Sequence, residues 1–370
     1  MSKELKQIYG TFYGHVIGDA IGVTFEGQNS EVVNERIYFM RQERRDGILP
    51  ITGHPPLVTP GQFTNDTELA LTLARSIIAK HGYDKIDVAC SYAFLFSKTS
   101  PFTVHETMEN ALICSTMIVK KQITYNLLGE LTNEEKMQIY NEICKNVKEK
   151  NSQCLSNGSL MRISPLAIAL RNQSVEKIRE KAKEDAFLTH GNPIVGDAAA
   201  TYCVAIAALL RGKSKEEAFK DAFNYAETNL VKELLTDAKI CAIPVKVYEE
   251  TNETIEMTTT NGDDRFVAYL GVALQSAFHE LLYAPSFSKG IKNVILRGGD
   301  TDTNACIVGA LLGARFGIDE IPYEWIKTIK SAPTSLLSYG NVRVNLDLEF
   351  LSLKDFDALI YQLSNILKGS

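Results

Sequence analysis

The chain has 370 residues, of which 45% are hydrophobic and 23% are charged, and its formal net charge at pH 7 is −6. This length and composition allow a substantial buried core, and without a clear linker we expect one domain over residues 1–370. The acidic balance lacks the basic footprint of a duplex-binding protein, so we expect no nucleic-acid partner.

Secretion, membrane insertion and a zinc site are also disfavoured. No N-terminal segment has the pattern of a signal peptide, and the longest apolar run, around Cys203 to Leu210, is shorter than a membrane span. We therefore expect a cytoplasmic protein with no membrane partner. The seven cysteines contain no CxxC pair, which argues against a disulfide framework or a zinc site. Because strand signals are weak, the sequence predicts an all-α, single compact multi-helix domain, which we expect to be a monomer.

The first predicted helix, Leu5 to Ile21, begins a row of glycines at four-residue spacing: Gly10, Gly14, Gly18 and Gly22. Small residues in a helical row let another backbone approach closely, so we expect a tightly packed core helix. Glu26 follows in a loop, where a carboxylate is either solvated or functional.

The next segment, residues 28–62, lacks sustained helical periodicity and contains several prolines and glycines, which predicts a long connection. Long structureless loops in compact domains are often functional, so this one is a candidate cover over a site. The helix that follows starts with Thr64-Asn65-Asp66-Thr67, in which Thr64 with Thr67 or Glu68 forms a reasonable capping arrangement.

A run of small polar residues, Ser156-Asn157-Gly158-Ser159, precedes an apolar helix. Its backbone amides could hold a phosphate at the helix N-terminus. Arg162 could add a charge-assisted contact or could equally pin a local carboxylate. His190 lies in a break before an alanine-rich helix from Val195 to Leu210, where it is either a capping group or a ligand.

The most informative stretch is Arg297 to Arg315. It begins with two glycines that can adopt positive φ and continues through Asp300-Thr301-Asp302-Thr303 into an apolar helix of small residues. Asp302 or Thr303 could cap this helix. Carboxylates and hydroxyls without nearby histidine or cysteine form an all-oxygen ligand set, which suits Mg²⁺ or Mn²⁺. The alternative is a capped helix with a solvated acidic loop. If this helix start faces the one at 64–67, enough oxygens converge for two cations.

These blocks together resemble the ADP-ribosylglycohydrolase family, which includes dinitrogenase reductase-activating glycohydrolases. The matching blocks lie in the family's order between Gly14 and Ala314: 18–22 with Glu26, 64–67, 157–162, 189–190 and 298–305. The resemblance implies an all-α enzyme that uses two Mg²⁺ or Mn²⁺ ions. It also implies hydrolysis of the bond between C1 of ADP-ribose and an amino-acid side chain or related acceptor, so the expected partner is an ADP-ribosylated protein or an ADP-ribose derivative.

The resemblance also implies roles for individual residues. The implied metal ligands are Thr64, Asn65, Asp66, Asp300, Asp302 and Thr303. The implied catalytic residues are Glu26, as an acid/base or a gate, and Asp302, as the anion that bridges both ions. The implied substrate-binding residues are Ser156, Asn157, Gly158 and Ser159 for the diphosphate, and His190 near the distal ribose or adenine.

Asn65 departs from the family's motif, which has Asp-Asp where this chain has Asn65-Asp66. A neutral amide still offers a carbonyl oxygen, but the loss of a formal charge should weaken the binding of a dication. Two alternatives therefore remain: a catalytically silent ADP-ribose-binding protein, and a structural helical relative in which the oxygen-rich helix starts are only caps.

Overall fold

The computed structural model describes residues 1–43, 49–53, 58–99, 101, 105–120, 123–242, 246–248, 254–256, 268–332, 337–338, 341–342 and 348–366. Within these residues the chain is predominantly helical, which confirms the all-α prediction. In chain order the α-helices are α1 Lys3–Gly22, α2 Ser30–Glu43, α3 Asn65–Ala79, α4 Lys85–Lys98, α5 Glu106–Leu112, α6 Ser115–Val119, α7 Asn133–Lys150, α8 Ser164–Leu170, α9 Val175–Ala186, α10 Pro193–Leu210, α11 Lys215–Tyr225, α12 Asn229–Asp237, α13 Leu270–Tyr283, α14 Phe287–Ile295, α15 Thr301–Phe316, α16 Tyr323–Ser331 and α17 Phe356–Ser364. Short 3-10 helices cover Tyr125–Glu130, Asn157–Ser159, Ile318–Glu320 and Glu349–Leu351.

The strands of the described residues are very short and form antiparallel pairs. They are β1 Gln28–Asn29, β2 Lys246–Tyr248, β3 Thr254–Glu256, β4 Gly298–Gly299, β5 Leu337–Ser338 and β6 Asn341–Val342. β1 pairs with β4, β2 with β3, and β5 with β6. The β1–β4 pair joins the turn after α1 to the segment before α15.

Helices α1 and α15 form the closest packing in the core, and the glycine row is the reason. A Cβ atom built at Gly18 would lie 2.0 Å from the carbonyl oxygen of Ala305, and one at Gly14 would lie 2.2 Å from that of Gly309. One at Gly22 would lie 2.3 Å from both Cα of Asp302 and the carbonyl oxygen of Thr301. The two helices therefore run antiparallel at backbone contact, which confirms the prediction of a tightly packed helix. The C-terminal end of α1 lies beside the N-terminal end of α15.

Helix α10 packs against α15, where the Tyr202 hydroxyl donates to the carbonyl oxygen of Ile307 at 2.7 Å. By length and composition alone, Pro193–Leu210 could cross a membrane, which the apolar run counted from the sequence did not show. However, 89% of this segment is buried inside the protein. Such burial is usual for the core helix of a folded domain.

The expectation of a continuous connection over residues 28–62 is wrong, because α2 occupies its first half. Val33 and Ile37, four residues apart, are buried and anchor this helix to the core. The guanidinium of Arg36 donates to the carbonyl oxygen of Thr24 at 3.0 Å and lies over the ring of Phe25. Helix α2 thereby holds the turn that carries Glu26. Residues 44–48 and 54–57 of the candidate cover lie outside the described residues.

Candidate active site

Three helix ends bring five carboxyl groups together. Asp19 lies near the end of α1 and Glu26 lies in the turn after it; Asp66 lies at the start of α3; Asp300 and Asp302 lie at the start of α15. Asp19, Asp66, Asp300 and Asp302 are almost completely buried, while Glu26 is half-buried. The two acidic helix starts do face each other, which is the condition that the sequence left open.

The start of α3 is capped from two sides. The Thr64 side chain accepts from the backbone amide of Asp66 at 3.3 Å, which confirms Thr64 as the capping residue. Asp19 accepts from the amides of Thr64 and Thr67, at 3.0 and 3.1 Å, and from the Thr67 hydroxyl at 2.6 Å. Sequence reasoning gave Asp19 no role of its own. The sequence feature that could have indicated such a role was a carboxylate in a helix whose other residues predict burial.

The start of α15 is different. Gly298 and Gly299 have φ of 71° and 76°, as the sequence predicts. The helix begins at Thr301, and the capping position is Asp300, whose side chain makes no capping hydrogen bond. Neither Asp302 nor Thr303 therefore occupies the predicted capping position, although Oδ1 of Asp302 accepts from the backbone amide of Thr303 in the first turn at 2.9 Å. The alternative of a solvated acidic loop is also wrong, because Asp300 and Asp302 are each only 1% exposed.

Several buried oxygens at these helix starts have no hydrogen-bond partner. They are both carboxylate oxygens of Asp66, Oδ1 of Asp300 and the hydroxyl of Thr303; this hydroxyl lies near enough to Asp66 to oppose the rise in its pKa, but not in normal hydrogen-bond geometry. The other Asp300 oxygen, Oδ2, accepts from Nδ2 of Asn157 at 2.7 Å. Leaving buried polar groups without partners costs about 1–3 kcal/mol each, and more for charged groups, so these atoms are suited to a ligand. An all-oxygen set of this kind fits a hard cation.

The carboxylates do not form a complete ion site by themselves. In the part of the chain that the structure describes, no three His, Cys, Asp or Glu side chains are grouped so that they could hold a metal ion. Any ion here would therefore also need hydroxyl or amide oxygens. Thr64, Asn65 and Thr303 are buried at the same two helix starts and carry such oxygens.

Mutual repulsion adds to burial in this cluster. Burial raises the pKa of Asp302 well above its usual range, and the carboxylates of Glu26, Asp300, Asp66 and Asp19 raise it further. Burial raises the pKa of Glu26 to about 7, with contributions from Asp300 and Asp19, while a hydrogen bond with Asp302 opposes the rise. The pKa of Asp66 is likewise raised well above its usual range, first by burial.

For Asp19, burial raises the pKa to about 6, against its hydrogen bonds from Thr67 and Thr64. Without bound cations, the cluster therefore retains protons that isolated carboxyl groups would lose near neutral pH.

The polar run at 156–159 lies against the same cluster through the bond between Asn157 and Asp300. It forms a 3-10 helix, and α8 begins only at Ser164, so the run does not lead directly into a helix N-terminus. The backbone amide of Asn157 already donates to the carbonyl oxygen of Ala268 at 2.9 Å, so it is not available to a phosphate. A Cβ at Gly158 would lie 2.3 Å from the terminal methyl group of Met108, so a side chain here would require the flexible end of Met108 to move.

His190 is a buried ring with both nitrogens engaged. Its Nε2 lies 2.7 Å from the hydroxyl of Ser156, and its Nδ1 lies 2.8 Å from the hydroxyl of Thr189. Burial lowers its pKa to about 3, with a contribution from the charge of Arg162. His190 is not a helix cap, because the side chain of Asn192 caps α10.

Arg162 forms an ion pair with a buried carboxylate, which was one of the two possibilities left open by the sequence. Its Nε lies 3.1 Å from Oδ2 of Asp185, and both side chains are fully buried. One terminal nitrogen donates to the carbonyl oxygen of Asp185 at 2.8 Å, and the other donates to the Thr189 hydroxyl at 2.8 Å. The hydrogen bonds of the guanidinium are therefore made to groups in the protein interior.

Asn304 is a further candidate that sequence reasoning missed. Its side chain is 1% exposed, and both its amide nitrogen and its amide oxygen lack a hydrogen-bond partner. It lies one residue beyond Thr303, in the first turns of α15. An apolar residue would suit a sealed core better, so this amide indicates a polar ligand or water nearby.

A groove of about 470 Å³ lies elsewhere, between α9 and the end of α11. It is lined by Arg179, Lys183 and Glu227, among others, and these three residues already pair with one another. The groove contains none of the five clustered carboxylates.

The ADP-ribosylglycohydrolase family model matches residues 1–348 of this chain. The ADP-ribosyl-(dinitrogen reductase) glycohydrolase of Rhodospirillum rubrum is 23% identical over 320 residues, covering 86% of this chain and 89% of that protein. The ADP-ribosylhydrolase ARH3 of Danio rerio is 26% identical over 349 residues, covering 87% and 85%. A solved structure described as an ADP-ribosylglycohydrolase-related protein complex superposes with a TM-score of 0.65 at 20% identity over 99% of both chains, which shows a shared fold. The chain belongs to the ADP-ribosylglycohydrolase family and is a hydrolase.

Proposed function

We propose that this protein hydrolyses the C1 glycosidic bond between ADP-ribose and an amino-acid side chain or related acceptor, and that it requires two Mg²⁺ or Mn²⁺ ions. The observation that carries the proposal is the buried cluster of carboxylates with unpartnered oxygens on Asp66 and Asp300. Membership of the family supports the substrate class, and the all-oxygen character of the cluster supports the choice of cation.

The residues that would hold the ions are Thr64, Asn65 and Asp66 from the start of α3, and Asp300, Asp302 and Thr303 from the start of α15. When bound, two hard cations supply Lewis-acid stabilisation to ribose hydroxyls and make a nearby water more acidic. Their positive charge would also relieve the repulsion that raises the pKa of Asp66 and Asp302.

Glu26 is suited to move a proton during the reaction. It is the carboxyl group of the cluster that is only half-buried, so a substrate can reach it. A pKa of about 7 lets this side chain hold or release a proton near neutral pH, which is the condition for an efficient general acid or base. Cleavage of a glycosidic bond needs assistance to the leaving group and removal of a proton from water. We assign one or both of these steps to Glu26.

The diphosphate of ADP-ribose is assigned to the run at 156–159, through the hydroxyl of Ser156 and the remaining backbone amides. The Asn157 side chain, by donating to Asp300, connects this segment to the carboxylate cluster. A ligand could therefore extend from the run at 156–159 to the carboxylate cluster.

The test is hydrolysis of ADP-ribosyl-arginine and ADP-ribosyl-serine peptides, measured as release of ADP-ribose with Mg²⁺, with Mn²⁺ and with chelator. We expect release only with a divalent ion, and none from Asp302→Ala. A matched control is Asp319→Ala, because Asp319 forms an exposed pair with Lys6 and should be dispensable. Turnover by Asp302→Ala at the wild-type rate at limiting Mg²⁺ would exclude the metal assignment.

Two other functions predict different results in the same samples. A catalytically silent ADP-ribose-binding protein, which Asn65 favours, would show a ligand-induced rise in melting temperature but no hydrolysis. A purely structural relative would show neither.

A further inference from the structure

A continuous chain of side-chain hydrogen bonds runs from Asp185 to Ser156. Asp185 pairs with Arg162 at 3.1 Å, Arg162 contacts the Thr189 hydroxyl at 2.8 Å, Thr189 contacts Nδ1 of His190 at 2.8 Å, and Nε2 of His190 contacts the Ser156 hydroxyl at 2.7 Å. The first four side chains are buried, whereas Ser156 is half-buried. The chain therefore leads from the interior to the run at 156–159.

The chemistry of the donors limits the possible directions of these bonds. A guanidinium can only donate, so the Thr189 oxygen must accept from Arg162. The Thr189 proton then has two acceptors within reach, Nδ1 of His190 at 2.8 Å and the carbonyl oxygen of Ala186 at 3.4 Å. The shorter contact favours the ring nitrogen. Nδ1 is then the acceptor of a neutral imidazole, and Nε2 carries the single ring proton.

Ser156 is the end of the chain. In this tautomer its oxygen accepts from Nε2 of His190, and the thiol of Cys154 donates weakly to the same oxygen at 3.4 Å. Among the contacts of the described residues, none uses the hydroxyl proton of Ser156 as a donor. Because the oxygen is occupied by incoming hydrogens, the Ser156 proton points to whatever ligand lies against the run. The burial that lowers the pKa of His190 keeps the ring neutral, so that only one of its two nitrogens carries a proton.

We propose that Arg162, Thr189 and His190 are positioning residues that fix the Ser156 hydroxyl as a hydrogen-bond donor to the anionic diphosphate of ADP-ribose. This inference rests on the proposed function for the identity of the ligand. His190 acts through Ser156, so neither of its nitrogens is left for the distal ribose or the adenine. A hydrogen bond to a charged acceptor is stronger than one between neutral groups, so correct orientation of one hydroxyl has a measurable effect on affinity.

A double-mutant cycle on ADP-ribose affinity tests the connection. We expect Ser156→Ala to raise the dissociation constant for ADP-ribose by about 10- to 100-fold. Thr189→Val removes the hydroxyl at nearly constant volume and should weaken binding by several-fold, whereas Thr189→Ser should restore it. The double variant should bind no more weakly than Ser156→Ala alone. Effects that multiply in the double variant would overturn the proposal, because Thr189 would then act independently of Ser156.

The control is Thr201→Val. Thr201 is also a buried threonine, on α10, and its hydroxyl has no hydrogen-bond partner, so its loss should leave ADP-ribose affinity unchanged. Equal losses in Thr201→Val and Thr189→Val would indicate general disturbance of the fold and overturn the proposal.

The direction of the chain can be measured without ligand. Long-range ¹H–¹⁵N spectra of wild-type protein should show His190 as the neutral tautomer with the proton on Nε2. A proton on Nδ1, or a charged ring at pH 7, would overturn the inference whether or not ADP-ribose binds. If the expected tautomer is present but wild type neither binds ADP-ribose nor hydrolyses its conjugates, the proposed function is the part that fails.

Discussion

The buried carboxylate of Asp185 and the buried carboxylate cluster that contains Asp302 have opposite electrostatic surroundings. Burial raises the pKa of Asp185, and the Arg162 guanidinium opposes that rise. Burial also raises the pKa of Asp302, but there the largest further contributions come from neighbouring carboxylates and add to the rise. Asp185 has hydrogen bonds from Arg162 and from the Tyr92 hydroxyl, whereas both oxygens of Asp66 have none.

The difference separates a carboxylate that is balanced within the fold from those that we propose to be functional. A buried charge with its own counter-charge and hydrogen bonds is complete within the fold. A buried cluster of like charges remains unfavourable until a cation or protons arrive. The cluster at the starts of α3 and α15 is therefore the part of the molecule that needs a partner from outside.

The largest effect is expected for the carboxyl group placed to move protons. Glu26→Gln should lower turnover by about 10²- to 10⁴-fold, because the amide cannot exchange a proton with the leaving group or water. The affinity for ADP-ribose should change little. Steady-state hydrolysis and calorimetric binding measure the two quantities, and an equal loss in both would make Glu26 a binding residue instead.

Replacing one carboxylate of each group by the neutral amide should change the stability of the protein in opposite directions. Asp185→Asn leaves the Arg162 charge buried without its partner and should lower the free energy of unfolding by about 3–5 kcal/mol. Asp302→Asn removes the cost of keeping a proton on a buried carboxyl group at a pH where the unfolded chain would lose it, and should raise the melting temperature of the metal-free protein. Urea unfolding and thermal melting in chelator check the pair. A loss of stability in both variants would remove the distinction between the groups.

The stability of the metal-free protein should also depend on pH, because the pKa of Glu26 in the cluster is raised. The pKa of Glu26 rises from an ordinary 4.5 to about 7 on folding, so its protonation stabilises the metal-free protein fully below pH 4.5. That contribution is lost as pH rises to about 7, and it amounts to about 2 kcal/mol after allowance for partial exposure. His15 and His190 have lowered pKa values and act in the opposite direction below pH 6.5.

A comparison of wild type with Glu26→Gln isolates the contribution of Glu26 protonation to the free energy of unfolding. The wild-type advantage in unfolding free energy, measured in chelator, should shrink between pH 4.5 and 7 and stay constant above. An advantage that grows over this interval would contradict the raised pKa.

The smallest effect concerns the position where the chain departs from its family. Asn65→Asp adds a carboxylate to the cluster and should lower the metal concentration for half-maximal activity by about tenfold, if metal binding improves by about 1.4 kcal/mol. Without metal the variant should melt at a lower temperature, because repulsion increases. Excess Mg²⁺ should raise its melting temperature more than that of wild type. Equal shifts would place position 65 outside the coordination sphere.

Much of this arrangement could be predicted from local sequence. The glycine row predicted close packing of α1, and the paired glycines before Asp300 predicted their positive φ. What local sequence lacked was the partner of each polar group. Arg162 could bind a phosphate or a carboxylate, and only the fold brings Asp185 to it. Asp302 and Thr303 were plausible caps because nothing in their segment shows that α15 already begins at Thr301.

The missed helix α2 has a different cause. The prolines and glycines later in residues 28–62 obscured a short apolar repeat at Val33 and Ile37, whose burial depends on contacts with distant helices. The role of Asp19 was missed for the same reason, because it stabilises the start of α3 across 45 residues of sequence. Local patterns report local structure, whereas these features depend on long-range contacts.

The pairing of α1 with α15 also constrains when the site can exist during folding. The hydrogen bond from Thr301 to the carbonyl oxygen of Gly22 joins residues 279 apart in sequence, and loop closure over such distances slows folding. During synthesis the N-terminal helices leave the ribosome first, so α1 must wait for most of the chain before its partner appears. Until then its glycine row has no partner, and the carboxylates of α1 and α3 lack those of α15. Any chain released before α15 is made would therefore lack the complete carboxylate cluster.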